Sequence, residues 1–158
     1  NLALAYDALP ETMKHKIEDL QVLHHYGNRA DMDENSSFSA ERLTNKQKKQ
    51  VANVFQPLAR KHPVTGRKSL YAVAGSSFGI VGMDDEAALH LLDELKEHAT
   101  QPEFVLKYAY APGDLAAWDT YATLHKAALT RLSNDPRETR LLWRISVTGH
   151  NPECVQTA

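Results

Sequence analysis

Between Gly113 and His125 the chain reads GDLAAWDTYATLH, which sets one tryptophan, one aspartate and one histidine among small and β-branched residues directly after Pro112. Pro-Gly marks a turn, and the run that follows is strand-like. Two further runs of the same character flank it, FVLKYAYAPGD from Phe104 and ETRLLWRISVTG from Glu138. Successive side chains of a strand point to opposite faces. In the last run, therefore, Arg140, Leu142, Arg144 and Ser146 share one face, and Leu141, Trp143, Ile145 and Val147 the other. At about 3.3 Å per residue the two arginines lie roughly 13 Å apart, which suits two different anions or, equally on spacing alone, the solvent face of an edge strand.

Upstream, VTGRKSLYAVAG pairs a Thr65-Gly66 turn with Leu70, Ala72 and Ala74 alternating against Tyr71 and Val73, the pattern of a hairpin entering a strand. Ala88, Leu91, Leu92, Leu95 and Ala99 form a helical apolar stripe, with Asp84 and Asp85 placed to cap its positive end, so this helix is expected on the outside of a sheet. Nearer the start, Met13, Ile17 and Leu20 recur at helical spacing within PETMKHKIEDLQVLHHY, and Pro10 suits a first turn. That spacing predicts a helix running to Gly27, with the adjacent His24 and His25 on different sides of it and thus not a metal pair. Residues 28–53 turn polar and read as a mobile connection, or lid, with a short helix. His62 falls in a turn before Pro63, and His90 and His98 on a helix flank, so none of these joins a cluster.

The 158 residues fit one domain, 1–158, whose 42% apolar content is ordinary for a globular core. A net charge of −2 and a pI near 6.5 leave no basic footprint for nucleic acid, and Lys46, Lys48 and Lys49 are too short a run to be more than a solvated face. Cys154 is the only cysteine, and no apolar run of about 18 residues could span a bilayer, so a soluble, cytoplasmic protein is expected. The opening NLALAYDALP already reads as helix interior, and a preceding segment is expected outside this sequence.

HPVTGRKSLY, GDLAAWDTYATLH and the RLLWR arginine pair occur in the order and context of the taurine and 2,4-dichlorophenoxyacetate dioxygenases, the TauD/TfdA family. The chain resembles their C-terminal half, from LALAYDALPE almost to Gly149. The resemblance implies an α+β fold, a double-stranded β-helix (a jelly roll, cupin-like) with flanking helices, the N-terminal part of the barrel missing from this chain. It further implies a dioxygenase that uses Fe(II), 2-oxoglutarate as cosubstrate and O2 to hydroxylate a small anionic organic molecule such as a sulfonate, sulfate ester or carboxylate.

Carried over residue by residue, His125 matches the distal histidine of the iron-binding facial triad, and Arg140 the arginine that pairs with the far carboxylate of 2-oxoglutarate. Arg144 matches the arginine near the substrate's anionic group, and Trp118 the tryptophan beside the iron site. No histidine here is followed by the H-x-D pattern, so two of three iron ligands are expected from elsewhere and none of these residues is assigned as catalytic. The sequence departs from the family at Thr120-Tyr121, where Asn-Arg is common, in the added KAALTRLSNDP after His125, and at Ser76, Ser77 and Phe78. The alternative is a non-catalytic jelly-roll fragment acting as a structural or interaction module. Association into a homo-oligomer stays open, and neither nucleic acid nor membrane is expected as a partner.

Overall fold

The computed structural model describes residues 1–24, 53–73, 77–126, 135 and 141–147. The chain divides into two units, Asn1–Leu124 and His125–Ala158, and every helix and strand below lies in the first.

Helix α1 (Leu2–Asp7) opens on Asn1, whose side chain accepts from the Ala3 and Leu4 amides and satisfies two donors that a first helical turn leaves without partners. It buries Leu2, Ala3, Ala5 and Tyr6. Pro10 separates it from α2 (Glu11–Ile17), which is far shorter than the helix expected to reach Gly27. After Ile17 the chain turns and enters β1 (Gln21–His24). Ladder pairing overrides the helical spacing: β1 is hydrogen-bonded on both edges, to β2 (Val54–Pro57) and to β5 (Ser77–Ile80), in an antiparallel sheet of order β2-β1-β5. Val22, opposite both Gln56 and Ile80, is fully buried. His24 therefore sits on a strand. Burial lowers its pKa by penalising the charged ring.

Leu58 alone separates β2 from β3 (Ala59–Lys61), which pairs antiparallel with β4 (Lys68–Leu70) in a second, two-stranded sheet. The fully buried Leu58 donates its amide to Leu20 and accepts from the Tyr71 amide, so one residue stitches both sheets together. The β3–β4 hairpin is the one its sequence predicts. Gly66, at φ 70°, supplies the left-handed residue of the turn and donates to the His62 carbonyl. The alternation beyond Leu70 does not continue as strand, because Ala72 is itself left-handed (φ 63°) and its carbonyl accepts from the buried Ser77 hydroxyl.

Helix α3 (Asp85–Ala99) matches its sequence signals closely. The Asp84 carboxylate caps the Glu86 and Ala87 amides, acidic residues occupy the first turn, and Lys96 and His98 the last. All five stripe residues are buried and pack towards β5 and α1. His98 donates from Nε2 to the Ala5 carbonyl at 2.8 Å, tying α3 to α1. A short 3-10 turn (Pro102–Phe104) follows.

The strands expected around residues 104–114, 115–125 and 138–149 are corrected: among the described residues these runs form no ladder, and no barrel closes. A strand exists only through its neighbour, and no partner strand is present for them among the described residues. Consistent with this, Leu106, Leu115, Trp143, Ile145 and Val147 are all exposed. Residues 141–147 form no strand, and Leu142 and Trp143 are both exposed; Arg140 lies outside the described residues. The connection expected at 28–53 lies almost wholly outside the described residues.

Leu92→Ala is expected to destabilise the chain by about 2–5 kcal/mol through the cavity it leaves. Asp84→Ala should remove about 1 kcal/mol by uncapping α3. Urea denaturation of both variants, read at constant slope, measures these losses.

Candidate functional site

Two neighbouring parts of the first unit meet: the β3–β4 hairpin and the segment that carries Trp118 and Asp119. At the end of β3, His62 accepts the Val64 and Thr65 amides at its Nδ1, 3.2 and 3.0 Å away. Two donors aimed at Nδ1 require a lone pair there, which assigns the ring proton to Nε2. Nε2 lies 2.6 Å from Asp119 Oδ2 and donates to it. The contact is thus a charge-assisted hydrogen bond from a neutral imidazole to a carboxylate. His62 is largely shielded (12% side-chain exposure) and Asp119 half exposed (50%).

The rest of the hairpin reinforces this contact. The buried guanidinium of Arg60 lies 3.7 Å from the Tyr121 ring centroid and 4.6 Å from that of Tyr71, a cation held between two π faces. His62 also meets the Tyr121 ring edge-on at 5.7 Å. The buried Ser69 hydroxyl donates to the Tyr121 carbonyl at 3.0 Å, and the Leu2 amide to the Ala122 carbonyl at 2.9 Å. Asp119 Oδ1 accepts the Tyr121 amide, and the Thr123 hydroxyl donates to the Asp119 carbonyl. Residues 119–123, which form no regular element, are thereby fixed by side chains of β3 and β4 and by the first turn of α1. The hydrogen bonds from His62 and from the Tyr121 amide hold the Asp119 carboxyl below the usual aspartate range.

Among the sequence-predicted site residues, Trp118 belongs to the first unit and is 43% exposed, directly before the anchored Asp119. His125 and Arg144 belong to the second unit and are exposed. Arg140 lies outside the described residues. Among the described residues no three His, Cys, Asp or Glu side chains gather into a metal-binding group. Sequence reasoning missed His62, Arg60 and Ser69. His62 is 57 residues from Asp119, and nothing local to either one signals the other.

The chain is similar to known proteins. The sequence model of the family described as "Taurine catabolism dioxygenase TauD, TfdA family" matches residues 1–146. The chain belongs to that family. It is 34% identical over 126 residues to the alpha-ketoglutarate-dependent 2,4-dichlorophenoxyacetate dioxygenase of Cupriavidus pinatubonensis, an alignment covering 80% of this chain and 42% of that protein. It is 29% identical over 151 residues to the (S)-phenoxypropionate/alpha-ketoglutarate-dioxygenase of Sphingobium herbicidovorans, covering 94% of this chain and 50% of that one. Among solved structures, AAD-2 in complex with Mn(II) and N-oxalylglycine is 37% identical with a TM-score of 0.57, over 70% of this chain and 42% of that chain. The chain thus spans about half the length of the curated relatives it matches.

The lowered pKa of Asp119 fixes the sign of a pH effect. Its charged form contributes stability that is complete above the unfolded value of about 3.9 and is lost as pH falls through the lower folded value. Asp119→Asn is expected to be less stable than the wild type at pH 7 by up to about 1 kcal/mol, the partner being half exposed. Thermal melts at decreasing pH should show the two proteins converging below the carboxylate range.

Proposed function

We propose that the chain is the C-terminal part of a single TauD/TfdA-like domain, 1–158, within a non-haem Fe(II)- and 2-oxoglutarate-dependent dioxygenase with a jelly-roll barrel. Its substrate is a small anionic organic molecule, a carboxylate, sulfonate or sulfate ester, and its compartment the cytoplasm. The observation that carries this reading is the family match across residues 1–146, which includes His125, Arg140 and Arg144. The matched 2,4-dichlorophenoxyacetate dioxygenase is named for a carboxylate substrate, and AAD-2 was solved with a divalent first-row metal. N-oxalylglycine, the other molecule in that complex, carries two carboxylates spaced like those of 2-oxoglutarate.

In this reading His125 offers a neutral imidazole nitrogen to the metal, as one of two histidines and one carboxylate on a single face of the ion. The other two ligands lie outside the described residues. Arg140 grips the far carboxylate of 2-oxoglutarate with its planar fork, and Arg144 holds the anionic group of the substrate. Trp118 matches the family's tryptophan, a large rigid apolar side chain. When bound, Fe(II) supplies the redox chemistry that couples decarboxylation of 2-oxoglutarate by O2 to oxygen insertion into the substrate. The protein's share is orientation and electrostatics.

The 158 residues by themselves are expected not to decarboxylate 2-oxoglutarate with added Fe(II), because one protein ligand does not hold the ion against water. Turnover at an ordinary enzymatic rate would overturn the ligand assignment. In the intact protein, His125→Ala should abolish the visible charge-transfer absorption of the Fe(II)–2-oxoglutarate complex under anaerobic titration while leaving the fold's melting cooperative.

The arginines should separate in steady-state kinetics. Losing one partner of a desolvated charge pair costs about 2–5 kcal/mol, so Arg140→Ala should raise the apparent KM for 2-oxoglutarate tenfold or more. Arg144→Ala should raise that of the anionic substrate and leave the cosubstrate constant near its normal value. Two variants with both constants unchanged would place the arginines in solvent.

A further inference from the structure

We infer that His62 makes the β3–β4 turn a one-proton switch: a second proton on its imidazole expels the Val64 and Thr65 amides from Nδ1 and opens the turn, while Nε2 keeps its hold on Asp119. All of these residues belong to the first unit. Nδ1 accepts the two amides at 3.2 and 3.0 Å, which it can do only as an unprotonated nitrogen. Once protonated it is a donor facing two donors, and an imidazolium has no lone pair left to accept either of them. At Nε2 the added charge has the opposite effect. The proton there already points at Asp119 Oδ2, 2.6 Å away, and a charged ring turns that hydrogen bond into an ion pair.

The surroundings decide which contact yields. Residues 63–67 are exposed, so the freed amides pass to water, whereas Ser69 and Leu70 behind them are buried and hold the base of the hairpin. The His62 amide still donates to the Arg67 carbonyl, so the opening stops at the turn. From the packed segment, Asp119 and Tyr121 face the ring. On the hairpin itself, Arg60 lies between the Tyr71 and Tyr121 rings, Lys61 stands opposite Lys68, Arg67 pairs with Asp7 of α1, and Lys68 pairs with Glu18. The carboxylate in contact with the imidazole is that of Asp119. Its hydrogen bonds hold it below the usual aspartate range, so it is still charged at about pH 6.5, where a histidine ordinarily takes up its proton. Acid therefore removes the acceptor at Nδ1 well before it removes the one that meets Nε2.

The test is a pH titration by nitrogen NMR of the intact protein, isotopically labelled in histidine, valine, threonine and tyrosine, with His62 identified by magnetisation transfer to the Tyr121 ring. Above neutral pH its ring should show a bare Nδ1 and a protonated Nε2. On acidification the Val64 and Thr65 amide signals should shift with the same midpoint as the His62 ring, and their hydrogen-exchange protection should fall about fivefold, the worth of an ordinary hydrogen bond. The Tyr121 amide, bonded to Asp119 Oδ1, should hold its place until the carboxylate itself titrates. Asp119→Asn should move the ring and both amides together to lower pH, because a neutral side chain attracts an imidazolium less. His62→Gln should leave the two amides without a midpoint; should that variant not fold, the wild-type midpoints decide by themselves. A ring that takes up its proton while both amides stay still, a ring still neutral where Asp119 protonates, or a proton on Nδ1 above neutral pH would each overturn the inference.

Discussion

Strand β1 is the constraint on which the other elements depend. Its four residues are hydrogen-bonded along both edges, and the fully buried Val22 leaves its neighbours a single usable register. On one side β2 is set against it and runs through Leu58 into the hairpin. On the other, β5 leads through a short turn into α3, whose buried stripe closes over the same core. α1 then packs against β4 and is pinned to α3 by His98. Removing β1 would leave β2 and β5 without the strand they share.

The contact region around Asp119 shows how a stretch without regular structure can still be held firmly. Regular elements satisfy their backbone groups within their own ladders, and an irregular stretch has to find partners elsewhere. Here Ser69, the Leu2 amide and Asp119 itself fill that need, while the stacked Arg60 and Tyr121 provide the apolar contact area. Where the sequence departs from the expected family pattern at Thr120-Tyr121, the Tyr121 ring meets the guanidinium of Arg60. The departure in sequence is therefore accompanied by a defined packing role.

What could be read from the sequence was whatever its residues signal to near neighbours. Thr65-Gly66 announced the hairpin, and Asp84 with the five stripe residues announced α3, because turn, cap and stripe are all encoded within a few positions. β1 was misread as helix because Met13, Ile17 and Leu20 do share a helical spacing, whereas the partners that make Gln21–His24 a strand begin 30 residues later. The alternation in FVLKYAYAPGD and RLLWRISV is real, but alternation gives a strand only where a second strand lies alongside, and none does among the described residues. Trp118, His125 and the arginines were singled out through the family's motifs, and their roles are proposals. His62 was passed over as a turn residue, since its pairing with Asp119 exists only once the hairpin and the W-D segment are folded together.

The pairing of β3 with β4 matters for counting as well as for chemistry. Arg60 stands opposite Ser69, between Ala59 opposite Leu70 and Lys61 opposite Lys68, and this register decides which face of the hairpin carries the guanidinium. Polarity and size govern which substitutions this stretch accepts, but parity governs its length. A one-residue slip of β3 against β4 would turn the guanidinium to the opposite side of the sheet while every side chain kept its chemistry. A slip of two would bring it back. Within this short span, divergence among related proteins is expected to alter letters freely and to conserve odd and even.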